Sequence, residues 1–169
     1  SVSILNKNQS PICAGESILI RTSGTKNYFL KPLYNATKLK NDSFRLAPLV
    51  TTKYLVFGAN EYGCESMDSI SVIVNPLPIA AIVSPSVSGC TPLNFGFLAD
   101  TMQAHDVFTW NVNGGVYQGD SVFGIALGSG CQNISLTNTL NGCSTTQTFI
   151  DYLCPENPPT AQFGASVSY

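Results

Sequence analysis

The stretch NEYGCESMDSISVIVNPLP, residues 60–78, contains a turn, a cysteine, an alternating apolar run and two prolines. Asn60, Gly63 and their charged neighbours suit a tight turn, because Asn and Gly accept the backbone angles that turns require. Ile70, Val72 and Val74 then fall on every second position, the period of a strand that buries one face. The segment Asn75-Pro76-Leu77-Pro78 ends that strand, since proline cannot donate to a sheet ladder and stiffens a short connection. The stretch therefore predicts the last strand of a β-domain and the exit from it.

The same succession returns at 141–159 as NGCSTTQTFIDYLCPENPP, 79 residues on when counted from Cys64 to Cys143. Beginnings recur too. PIAAIVSPSVSGC at 78–90 is echoed by PTAQFGASVSY at 159–169, with Pro, Ala, a large apolar residue and Ser-Val-Ser in the same order. A spacing of about 80 residues with several short strands per repeat predicts tandem β-sandwich modules. The boundaries fall at 1–76, 77–156 and 157–169, the last a linker and the first strand of a further module.

Composition agrees with this division. Only 11% of the 169 residues are charged, and no segment keeps apolar residues at helical spacing, so the expected class is all-β. Apolar runs are a handful of residues, far short of the roughly 20 that span a bilayer as a helix. All eight basic residues precede position 54. Against five acidic residues they give residues 1–76 a charge of +3, whereas residues 77–169 have five acidic and no basic residues and carry −5.

Within 1–76, Ile18 with Ile20, and Tyr54 with Val56, mark strand faces turned to a core, and Tyr28-Phe29-Leu30 supplies a middle strand. The polar stretch from Asn35 to Ser43 reads as loop. Within 77–156 the expected strands are Leu93–Phe97, Val107–Val112, Val122–Leu127, Ile134–Thr137 and Thr146–Leu153, separated by glycine-rich turns.

Cys13, Cys64, Cys90, Cys131, Cys143 and Cys154 are even in number in a lysine-poor, β-rich chain, which points to structural disulfides and an extracellular setting. Zinc would call for close Cys pairs or several His, but the nearest cysteines are 11 apart and His105 is the sole histidine. If Leu140–Gly142 is a hairpin turn, opposite residues sum to about 285 and Cys131 faces Cys154. Cys143 is then left for Cys90, and Cys13 for Cys64. The Cys13–Cys64 loop of about 50 residues would stabilise the first module by about 4 kcal/mol in the chain-entropy model. On this reading no bond joins a cysteine before position 77 to one after it.

PICAGESILI (residues 11–20), Tyr28-Phe29-Leu30 and TTKYLVFGANEYGCESMDSISVIVNPLP (51–78) together resemble the Ig-like repeats of large surface adhesins from gliding bacteria that use type IX secretion. The second module is similar to a PKD-type repeat of the same proteins. Gly89-Cys90-Thr91-Pro92-Leu93 fits its opening, Phe108-Thr109-Trp110 its aromatic strand, and Asn141-Gly142-Cys143 its closing turn. The resemblance implies tandem Ig-like/PKD-like β-sandwiches, a Cys13–Cys64 bridge, and a non-catalytic cell-surface stalk serving adhesion or gliding. The competing expectation is a carbohydrate-binding or spacer module of a secreted polysaccharide-degrading enzyme. Asn111-Val112-Asn113-Gly114-Gly115 replaces the acidic turn of the PKD pattern, so no calcium site is carried over.

Other residues invite chemistry and receive plainer readings. Trp110 is expected in the core, as the central-strand tryptophan of a sandwich. His105-Asp106 has no nucleophile elbow to serve and reads as surface loop. The ten acidic residues show no paired-carboxylate pattern. The lysines from Lys26 to Lys53 read as a solvated face, with an acidic polysaccharide as the sharper possibility and nucleic acid excluded by the lack of adjacent basic residues. Asp68-Ser69-Ile70, Asp100-Thr101-Met102 and Asp120-Ser121-Val122 make Ser69, Thr101 and Ser121 candidate O-glycosylation acceptors, and sequons lie at Asn35, Asn41 and Asn133. No catalytic residue, metal or cofactor is expected. The expected partners are neighbouring modules of the same polypeptide and a surface polysaccharide.

Overall fold

The structure is a computed structural model that describes residues 1–100 and 106–164. Its described residues form strands and no helix. They divide into two compact units, Ser1–Leu77 together with Asn141–Cys143, and Pro78–Leu140 together with Ser144–Tyr169.

The first unit contains β1 (Ser3–Ile4), β2 (Ile12–Cys13), β3 (Ile18–Ser23), β4 (Asn27–Lys31), β5 (Ala36–Lys40), β6 (Ser43–Leu46), β7 (Thr52–Ala59), β8 (Glu65–Val72) and β9 (Val74–Asn75). One sheet has the order β1-β3-β6-β5 and the other β4-β7-β8, while β2 runs parallel to β9. Alternation in β3 sends Ile18, Ile20 and Thr22 inward and leaves Leu19 and Arg21 outside. Register then brings Ile20 opposite Phe44 and Tyr54 opposite Ile70. Ile20, Leu46, Tyr54 and Val56 have no exposed surface and form the centre of the core. The buried Tyr54 hydroxyl donates to Tyr34 O at 3.1 Å, satisfying a group whose burial unpaired would be costly. Burial and the nearby Tyr34 hold that phenol above its ordinary pKa.

The stretch from Asn35 to Ser43, expected as loop, contains β5 and the start of β6. Four of the five β5 residues are exposed, so the strand carries no apolar alternation for sequence reasoning to find. Its pairing with β6 holds it, with an irregularity between Lys38 and Lys40. Lysines on an edge strand also discourage pairing with other chains.

The second unit contains β10 (Val87–Cys90), β11 (Leu93–Leu98), β12 (Val107–Val112), β13 (Gly115–Gln118), β14 (Ser121–Ala126), β15 (Gln132–Leu140) and β16 (Cys143–Glu156). Five strands make a sheet of order β10-β16-β15-β12-β13, and β11 pairs with β14. The core is aromatic at its centre. Phe97 and Trp110 are fully buried with Ile134, Leu136 and Leu153, and the Phe97 ring lies 5.6 Å from both Phe95 and Tyr152. Trp110 Nε1 donates to Gly119 O at 2.9 Å, and the buried Asn138 amide donates to Ile79 O at 2.8 Å. Of the segment expected to open a further module, residues 157–164 form no strand and 165–169 lie outside the described residues.

The cysteine pairing differs from the sequence expectation. Cys131 is bonded to Cys154, and Cys13 is bonded to Cys143 with a Cα separation of 5.6 Å; Cys64 and Cys90, both expected in bonds, are free. The Cys13–Cys143 bond does what the sequence reading excluded, joining a position before 77 to one after it across a separation of 130 residues. Hairpin arithmetic sees register only within one hairpin, and elimination among the remaining cysteines assumed that each module closes on itself. The two cores nonetheless share no residue.

Candidate functional site

Besides the bonded Cys131 and Cys154, four cysteines occupy two kinds of position, and each kind occurs twice. Cys13 ends β2 and lies opposite Asn75 in the parallel pair with β9; the next residue, Ala14, donates its N–H to Asn75 O at 3.0 Å. Cys90 ends β10 and lies opposite Glu156 in the parallel pair with β16, and Thr91 donates to Glu156 O at 2.8 Å. The two cysteines thus close the same short parallel ladder with the same hydrogen bond beyond it.

Cys64 and Cys143 share the other position. Each follows a glycine with φ of +80°, Gly63 and Gly142, in the connection to the last long strand of its sequence repeat. That angle is in the left-handed region that favours glycine, which explains why Gly-Cys recurs. Asn60 shapes the first turn, its Oδ1 accepting from the N–H groups of Tyr62 and Cys64 at 3.0 and 2.9 Å. In the second, Asn141 adopts φ of 50° and its carbonyl accepts from Asn75 Nδ2 at 3.0 Å. Within each kind of position the bonded cysteine is the less exposed: Cys143 is 1% exposed and Cys13 half-buried, whereas Cys64 and Cys90 are open to solvent.

The remaining candidates are placed as follows. Trp110 lies in the core with its N–H satisfied, so it offers no stacking face. Ser69 lies half-buried on β8, and its N–H donates to Asp68 Oδ1 at 2.8 Å. Ser121 opens β14 and its hydroxyl meets Asp120 Oδ1 at 3.2 Å; Thr101 and His105 lie outside the described residues. Asp68, which sequence reasoning used only as part of a sequon-like motif, ties the N-terminal segment to β8. It accepts from Ile4 N at 2.8 Å and pairs with Lys7. The Lys7 hydrogen bond, followed by that from Ile4, holds its carboxyl below the ordinary range.

The lysines are scattered among local partners. Lys38 Nζ donates to Tyr28 O at 3.2 Å and lies 6.0 Å from the Phe44 ring, and Lys31 Nζ stands 5.8 Å from the Phe57 ring. Their stems cover an apolar hollow of about 380 Å³ between β4 and β5, whose buried wall is Tyr28, Leu30 and Phe44. Among the described residues, no group of three or more His, Cys, Asp or Glu is placed to hold a metal ion, and no helix is long and apolar enough to cross a membrane.

No protein-family model matches the chain, and no curated protein matches it. Solved structures do. The N-terminal eight Ig domains of Down Syndrome Cell Adhesion Molecule align over 91% of this chain and 24% of that one, at 12% identity and a TM-score of 0.57. The two-domain structure of DIP-gamma aligns over 93% of this chain and 98% of that one (9% identity, TM-score 0.43), and the insect immune protein hemolin over 92% and 47% (12% identity, TM-score 0.44). At these identities the first of the three speaks for fold. The chain is all-β and immunoglobulin-like in its sandwich architecture.

Proposed function

We propose that the chain is a non-catalytic extracellular segment of a modular bacterial cell-surface adhesin, in which sandwich modules extend and present other parts of the polypeptide for attachment or gliding. One observation carries the reading: within 169 residues, two immunoglobulin-like sandwiches follow one another with separate cores. Domains of this kind act as spacers because each contributes length and rigidity without needing a site of its own. Two disulfides fit an oxidising compartment outside the cytoplasm. The PKD-type character of the second module, type IX secretion and contact with a surface polysaccharide belong to the same proposal. They rest on the sequence resemblance, now without the Cys13–Cys64 bridge that it implied.

In-frame deletion of the segment corresponding to residues 1–156 from the parent protein tests the reading. Cell attachment is expected to fall while secreted polysaccharide hydrolysis is unchanged. Unaltered attachment, a loss of hydrolysis, or micromolar binding of the isolated chain to one sugar on a glycan array would overturn it.

A further inference from the structure

We propose that Cys64 and Cys90 are the open halves of a repeat-to-repeat disulfide series. Cys64 bonds to the strand-end cysteine of a preceding repeat of this kind, and Cys90 to the Gly-Cys cysteine of a following one. The inference rests on reading the chain as part of a modular protein and names the partner of its two free thiols.

The formed bond supplies the rule. Cys13, at the end of the short parallel strand of one sequence repeat, is joined to Cys143, the Gly-Cys cysteine of the next repeat along the chain. Cys90 stands where Cys13 stands, one repeat later, with the same ladder and the same hydrogen bond beyond it. Cys64 stands where Cys143 stands, one repeat earlier, after a glycine with the same φ. By that rule the partner of Cys90 lies in a repeat after residue 156, and the partner of Cys64 in one before residue 1. Both thiols are exposed, whereas their bonded equivalents are half-buried at Cys13 and buried at Cys143. Sequence adds a second observation. PTAQFGASVSY, residues 159–169, repeats the opening of the second module, so a repeat of the required kind begins in the place from which Cys90 needs a partner.

Each new bond removes one proton and one electron from each of two thiols. A protein or small-molecule disulfide takes up the two electrons by thiol–disulfide exchange and leaves as two thiols.

The test is a disulfide map in two arms. The 169-residue chain, oxidised with glutathione disulfide and alkylated under denaturing, non-reducing conditions, is expected to carry an alkyl or a glutathionyl group at two cysteines, Cys64 and Cys90, beside Cys13–Cys143 and Cys131–Cys154. In the full polypeptide from its source, alkylation at both positions is expected to fall to none. The Cys90 peptide should then be linked to a downstream Gly-Cys peptide, and the Cys64 peptide to an upstream one. Alkylated Cys64 or Cys90 in the full polypeptide overturns the proposal, as does a Cys13–Cys64, Cys90–Cys143 or Cys64–Cys90 bond in either arm. The map is blind to attachment, so its failure and that of the adhesin reading are scored by different measurements.

Discussion

At the centre of the first unit stand Ile20, Leu46, Tyr54 and Val56, and at the centre of the second stand Phe97, Trp110, Ile134 and Leu136. The first fills its sandwich with aliphatic side chains, a single phenylalanine, Phe44, and two tyrosines whose hydroxyls find backbone partners, Tyr54 at Tyr34 O and Tyr28 at Thr25 N. The second uses an aromatic cluster and carries its own cross-link, Cys131–Cys154. The charges differ in sign as well, +3 before residue 77 and −5 after it. Two immunoglobulin-like sandwiches thus arise from unlike fillings. What they share is period-two burial, and cores accept different residues when the apolar pattern is kept. Their other common feature is the pair of cysteine positions, bonded in one combination and free in the other.

The strongest way to break the comparison is mechanical. Pulled from its two ends, the oxidised chain transmits force through Cys13–Cys143, so only Ser1–Cys13 and Cys143–Tyr169 can extend. At about 3.6 Å per residue those segments, about 40 residues, reach about 140 Å, against about 600 Å for the whole chain. Single-molecule extension should therefore grow about fourfold in Cys13→Ser or after reduction; equal lengths would mean the bond is not there.

Core truncation tests whether the two fillings are independent. Leu46→Ala should destabilise the first unit by about 2–5 kcal/mol, the range for fully buried leucines. Trp110 is the sole tryptophan and lies in the second core, so its fluorescence follows that unit. The mutation should move the urea midpoint seen by tyrosine near-ultraviolet dichroism and leave the Trp110 midpoint in place. A joint shift would show that the cores unfold as one.

Removing the cross-link of the second unit, as Cys131→Ser with Cys154→Ser, opens a loop of separation 23. The chain-entropy model gives about 3 kcal/mol for such a loop. The Trp110 fluorescence midpoint should fall accordingly, and an unchanged midpoint would leave the aromatic filling as the main source of that unit's stability.

The smallest expected effect concerns Asp68, whose ion pair with Lys7 has no counterpart in the second unit among the described residues. Because its folded pKa lies below the unfolded value, its contribution is present above the ordinary carboxylate pKa. It is lost as pH falls through the lower, folded value. Lys7 is largely exposed, so solvent and salt screen the pair and the effect stays within about 1 kcal/mol. Asp68→Asn should flatten the acid limb of stability against pH for the first unit in low salt; an unchanged limb would assign it to other carboxylates.

The strands with one wet face were legible. Ile18 and Ile20, Tyr54 and Val56, and Ile70 and Val72 alternate in sequence and are buried in the structure, because a side chain's face depends only on its own strand's pleat. Trp110, expected in the core as the central-strand tryptophan of a sandwich, is buried there. Strand β5 was not legible, since residues exposed on both faces leave no period to detect and only pairing with β6 makes them a strand. Asp68 was missed as an anchor because its partners, Ile4 and Lys7, are more than 60 positions away.

By itself, the sequence determined the all-β class and the repeated order of turn, cysteine, strand and proline. These are properties of short segments, set by pleat, turn chemistry and proline. Tertiary structure alone decided the sheet orders and the partner of Cys13. A bond across 130 residues depends on distances that no local pattern encodes.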